Sequence, residues 1–175
     1  MTPPSPLTVA VRTSFVLITC LTLQLGVLTN LALFGVQADL LLLVAIGGAI
    51  AAGPDRGAAI GFAAGLVYDL MLQTPFGLSA LTYAIVAYLV GSLQDSVLRA
   101  AWWIPVATAT AASFFGVILY GVLGTVLGED LVGWELLRVA LIVALINTLL
   151  APPVVKLMRW ATGSVDSVRA RAVYR

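Results

Sequence analysis

The run GAAIGFAAGLVYDLM places Gly57, Gly61, Gly65 and Asp69 four residues apart. An α-helix turns about 100° per residue, so positions four apart drift by only about 40° and form one ridge. Asp69 is the only charged residue between Gly57 and Tyr88. A lone carboxylate can snorkel to nearby headgroups or stay protonated in place, pair with a cation inside the protein, or contact a partner. It is costly in lipid, so the ridge is expected to face protein or a wet cavity. The glycines make two overlapping G-x3-G motifs, the pattern of close backbone approach between apolar helices. The ridge is therefore read as a packed or partner-receiving face.

Three further polar residues stand out against the apolar background. Asp39 opens an apolar run, where it suits an N-cap: it can accept from free N–H groups and meet the positive end of the helix macrodipole. A partner-binding role is its alternative. Arg138 is a candidate counter-charge for Asp69, with Glu135, three residues away, as the local rival for its guanidinium; the sequence leaves both open. Asn147 lies deep in the last apolar run, where a buried amide seeks partners on another helix, and Pro152-Pro153 shortly after it favours a kink. Arg138 and Asn147 are nine residues apart, about 180° around a helix, so they do not share a site and a proton relay is not supported. A second small-residue ridge reads Ser113, Gly116, Tyr120, Gly124, and either faces the first or receives another helix.

Catalytic chemistry is poorly supplied. There is no histidine and one cysteine, Cys20, inside an apolar run, so the commonest general base, an internal disulfide and a cysteine metal cluster are all missing. Ser79, Ser92 and Ser113 have no histidine to activate them, and the acidic residues are scattered. The glycines at Gly47 and Gly48 lack phosphate-loop spacing. The reading is a non-enzyme with no catalytic residues, cofactor or metal. A formal net charge of +1 offers no basis for nucleic-acid binding.

The elements that must position these residues are membrane helices. The chain is 61% hydrophobic and 10% charged, against about 25% charged in a soluble domain, and its mean hydropathy is +1.08. Apolar segments run approximately over 8–28, 38–52, 57–72, 78–93, 102–127 and 134–158. This predicts an all-α integral membrane protein, a single six-helix transmembrane domain over 1–160 with a basic cytoplasmic tail over 161–175. The first segment is read as an uncleaved span rather than a signal peptide. The second and third are shorter than the roughly 20 residues of a full crossing, which suggests shielding by the others and a recess in the bundle. Gly53-Pro54 and Thr74-Pro75-Phe76-Gly77 break the chain around the third. Arg12, Arg56, Arg99, Lys156, Arg159, Arg169, Arg171 and Arg175 share one side if both termini are cytoplasmic, with only Arg138 opposite. Trp102, Trp103 and Trp160 then belong to the inner aromatic belt and Trp134 to the outer one. Asp69 and Asp39 fall at the outer ends of their helices. The tail lies against anionic headgroups.

Several of these features together resemble the MreD family of rod shape-determining proteins. They are Ala38-Asp39-Leu40-Leu41-Leu42-Leu43 opening the second segment, Gly65-Leu66-Val67-Tyr68-Asp69 closing the third, the turn Thr74-Pro75-Phe76-Gly77-Leu78, then Ala80-Leu81 and Tyr83 through Tyr88, and Asn147 before Ala151-Pro152. The aspartate of the second segment follows alanine where the family often has proline. The resemblance covers nearly the whole chain. It implies a non-catalytic component of the cell-wall elongation machinery in the bacterial inner membrane, associated with the bitopic protein MreC and, through it or directly, with RodA and its penicillin-binding partner. It also implies a fold similar to the substrate-binding subunits of energy-coupling-factor vitamin transporters. Such a transporter subunit is the alternative function, but its small residues spaced four apart in the first span have no counterpart in Phe15-Val16-Leu17-Ile18-Thr19-Cys20-Leu21-Thr22-Leu23-Gln24.

Overall fold

The computed structural model describes residues 4–26, 35–71, 75–93, 103–129 and 132–163. The expectations placed on Thr74, Arg99, Trp102 and the tail beyond Gly163 lie outside them. The described residues form six α-helices: α1 Pro6–Gly26, α2 Leu40–Ala52, α3 Pro54–Asp69, α4 Leu78–Ser92, α5 Ile104–Val126 and α6 Trp134–Ala161. Three of them, α1, α5 and α6, are long and apolar enough to cross a membrane. The helices α2 and α4 are apolar but shorter.

The centre of the bundle is α2. Its sequence, LLLLVAIGGAIAA, has no polar face, and every residue from Leu40 to Ala51 is buried. A helix that is apolar all round needs neighbours all round, and α2 packs against α1, α3, α4, α5 and α6. At 13 residues it is about 20 Å long, well short of the roughly 30 Å hydrocarbon core. The surrounding helices turn their other faces outward, so Phe15, Ile18, Leu141, Leu145 and Leu149 are exposed, as expected for side chains meeting lipid.

Gly53, with φ of +87°, separates α2 from α3, and Pro54 follows at the first turn, where its missing N–H costs nothing. The glycine ridge of α3 then lies along α4 and α2. A Cβ at Gly61 would sit 2.6 Å from the Tyr83 carbonyl oxygen. One at Gly65 would meet the Ser79 carbonyl and stand 2.5 Å from the Ala80 Cα, and one at Gly57 would stand 2.6 Å from the Ala49 Cα. At the far end of the hairpin, a Cβ on Gly91 would be 2.5 Å from the Pro54 Cα. These pairings run in opposite directions along the two helices, so α3 and α4 form an antiparallel pair in backbone contact.

The second ridge does not meet the first. Gly116 of α5 faces the Leu42 side chain of α2, and Gly121 faces Leu136 of α6. Between α5 and α6, Thr110 and Thr148 share a hydroxyl hydrogen bond of 2.6 Å. Helix α6 continues through Pro152 and Pro153 to Ala161. The two ends of the chain meet at one end of the bundle: the Arg12 guanidinium lies 4.8 Å from the centre of the Trp160 ring and reaches its carbonyl at 3.5 Å.

Candidate functional site

The opposite end of the bundle is where α2, α4 and α6 begin and α3 and α5 finish. Helix N-termini bring unpaired N–H groups there, and each must find an acceptor. For α2 the acceptors come from three places. Asp39, the N-cap, accepts the Leu42 amide at 2.9 Å on Oδ1, and its carbonyl accepts Leu43 at 3.1 Å. Gln24, near the end of α1, accepts the amides of Leu40 at 2.9 Å and Leu41 at 3.3 Å on its Oε1. All four leading amides of the central helix are thereby satisfied, two of them by another helix.

The α4 terminus has no side-chain cap of its own, because its N-cap is Gly77, at φ +98°. Asp69 fills that role from α3. Its Oδ2 accepts the amides of Gly77 at 2.9 Å and Ala80 at 3.1 Å, and its Oδ1 accepts Ser79 at 3.0 Å. The carboxylate is only 3% exposed. Asp69 ends its own helix, where negative charge is disfavoured, but begins the next, where the macrodipole and three N–H groups favour it. The expectation of a partner contact or an Asp69–Arg138 ion pair is corrected accordingly: this carboxylate is a buried interhelical cap. The glycine ridge beneath it is likewise covered by the chain's own α4 and α2, and is not a groove for a partner.

Arg138 donates to Glu135 at 3.2 Å across one turn of α6, with both side chains largely exposed. Such a pair contributes little, so Glu135→Gln is expected to change unfolding stability in detergent by less than about 1 kcal/mol. A larger loss would show that Glu135 holds more than this pair.

Asn147 is fully buried, and its amide nitrogen donates to the Asp39 carbonyl at 3.2 Å and to Ser113 Oγ at 3.0 Å. One side chain thus ties α6 to α5 and to the N-cap of α2. Asp39 has a further bond. Its Oδ2 accepts the Tyr83 hydroxyl at 2.6 Å. The Tyr83 ring stacks on Tyr68, with centroids 6.3 Å apart and planes inclined by 19°, and Tyr68 is hydrogen-bonded by Gln24.

These residues border a cavity of about 320 Å³, lined by Gln37, Asp39, Tyr68, Tyr83 and Tyr120 on its polar side and by Leu42, Gly116, Val117, Val139 and Val143 on its apolar side. Gly35 and Gln37 at its rim are exposed, and Asp39, Tyr68 and Tyr120 are half-buried, so the cavity reaches the surface. Its volume lies at the low end of the range of sites that bury a ligand group. Of the residues singled out from sequence, the structure brings Asp39, Gly116 and Tyr120 together here, with Asn147 bonded to the Asp39 carbonyl, and places Asp69, Arg138 and the glycines of α3 elsewhere.

The model of the rod shape-determining protein MreD family matches residues 5–161. The chain belongs to the MreD family. No curated protein and no solved structure matches it. As an MreD protein it has a role in rod shape determination and belongs to a family of membrane proteins, in keeping with its three long apolar helices. Within the MreD chain, the residues that sequence reasoning does not assign to a site are Gln24, Tyr68 and Tyr83, and Tyr120 enters only as a member of the α5 ridge. Gln24 carries a signal, being a lone amide near the end of an otherwise apolar run. The tyrosines carry none, since aromatic residues are common in apolar helices.

Proposed function

We propose that this MreD protein is a non-catalytic, six-span scaffold of the cell-wall elongation machinery in the bacterial inner membrane, with both termini cytoplasmic. Its outward cavity receives a membrane-proximal segment of an MreC-type bitopic protein, and through that protein, or directly, it associates with RodA and its penicillin-binding partner. The observation that carries this reading is the cavity at the Asp39 end. The glycine ridge of α3 is covered by the chain's own helices, whereas here a carboxylate, three tyrosines and an apolar wall border a cavity that reaches the surface. The meeting of Arg12 with Trp160 at the other end supports an even number of crossings, with the basic residues inside.

Filling the cavity tests the proposal. Val117→Trp and Val139→Trp place bulk in it from α5 and α6 without touching the polar network. Each variant is expected to fold, by thermal stability in detergent, and to lose co-purification with the co-expressed bitopic partner and complementation of cell shape. Wild-type recovery of the partner with both folded variants would overturn the proposal.

A further inference from the structure

Asp39 is the only charged residue lining the cavity among the described residues. Its carboxylate accepts the Leu42 amide on Oδ1 and the Tyr83 hydroxyl on Oδ2, with a further backbone bond from Leu41, out of about four acceptor positions. These neutral donors fix the group in place without neutralising it. The connecting segment 27–34, VLTNLALF, contains no basic residue. Arg138, next to Val139 on the lining, is engaged by Glu135.

The surroundings of this carboxylate are aromatic. Tyr68, Tyr83 and Tyr120 line the same cavity, and the Tyr83 hydroxyl is held on the Asp39 carboxylate at 2.6 Å. A carboxylate flanked by tyrosine rings is chemistry for a cation: the carboxylate supplies the charge and charge-assisted hydrogen bonds, and the ring faces supply cation–π attraction. The apolar wall of Leu42, Val117, Val139 and Val143 suits the methylene stem of a long basic side chain. A neutral or acidic group would leave the Asp39 charge without a counter-charge, which is less favourable.

We infer that the cavity is a cation-recognition site in which Asp39, framed by Tyr68, Tyr83 and Tyr120, takes the guanidinium or ammonium of a basic residue next to the membrane span of a bitopic partner. This rests on the docking reading above and adds the chemical identity of what docks.

The test uses the full-length protein in nanodiscs and its full-length MreC-type partner. Asp39→Asn keeps its oxygen as the N-cap acceptor for Leu42 and turns its NH₂ toward the Tyr83 hydroxyl, which can accept instead of donating, so its thermal stability should stay near wild type. Its affinity for the partner is expected to fall at least about tenfold, and the salt dependence of binding to flatten. Tyr120→Leu should weaken binding about fivefold, whereas Tyr120→Phe, which keeps the ring, should not. Neutralising the basic residues beside the partner's span to glutamine should reproduce the Asp39→Asn loss and not add to it. That arm does not depend on any variant of this chain folding. Wild-type affinity and salt dependence in Asp39→Asn, or full additivity with the partner's neutralised residues, would overturn the cation inference. In that case loss of binding in Val117→Trp would leave cavity docking standing, and its retention would remove both.

Discussion

Gly65→Leu is expected to yield no stably folded protein. The first side-chain carbon would already clash with the Ser79 carbonyl oxygen and lie 2.5 Å from the Cα and N of Ala80. Those are backbone atoms of α4, so no rotamer change relieves the clash and the two helices must separate. Even Gly65→Ala should cost about 3 kcal/mol, the upper part of the overpacking range. Gly116→Ala is the internal control. Its new carbon would meet the Leu42 methyls at 3.0 and 3.2 Å, which belong to a side chain that can shift, so about 1 kcal/mol is expected. Thermal or chemical unfolding in detergent separates the two. Equal losses would mean that the backbone contact is not what makes Gly65 necessary.

The second large effect is at Asp69. In Asp69→Asn one oxygen remains to serve three amides, and the new NH₂ group points a donor at donors. The remaining oxygen can keep the Gly77 and Ala80 amides, which leaves the Ser79 N–H facing the NH₂ group in a buried site, and the loss should be about 2–3 kcal/mol. The fraction that folds should still capture the bitopic partner, because Asp69 faces α4 and not the cavity. A variant of unchanged stability that failed to bind the partner would show the opposite, and would return Asp69 to the role of a contact residue.

Asp69 also marks where sequence reasoning stops. Its cost in an apolar setting is legible from composition alone, and so is its place at the end of a helix. What supplies its hydrogen bonds is not, because the donors are backbone amides, which every residue carries and no sequence displays. An indirect sign did exist. Helix α4 begins after a glycine, with no Ser, Thr, Asp or Asn at its cap, and the nearest unassigned acceptor is the carboxylate that ends the preceding helix. An uncapped helix beside an orphan carboxylate is a pair worth matching. Asp39 was easier, since its cap bond to Leu42 is local and follows from spacing. Asn147 was partly legible: a buried amide in a helix demands an interhelical partner, but that the partners are Ser113 and the Asp39 carbonyl depends on how α5, α6 and α2 are arranged.

The helices themselves were readable because apolar composition and breakers such as Gly53-Pro54 are strong signals. The cavity was not, because its walls come from residues spread between Gly35 and Val143. The shortness of the second segment hinted at a recess without locating it.

The enclosure of α2 bears on how the protein is made. Helices such as α1, α5 and α6 are long enough to enter a bilayer singly and then associate, the usual order for membrane bundles. Helix α2, at about 20 Å, cannot reach both interfaces, and its leading amides are satisfied partly by Gln24 and its cap is held by Asn147, which is synthesised 108 residues after Asp39. The central helix therefore reaches its final environment only when the last helix leaves the ribosome and closes over it. A chain interrupted before α6 would leave one side of the most apolar helix uncovered and its cap without Asn147, so the bundle closes around its central helix last.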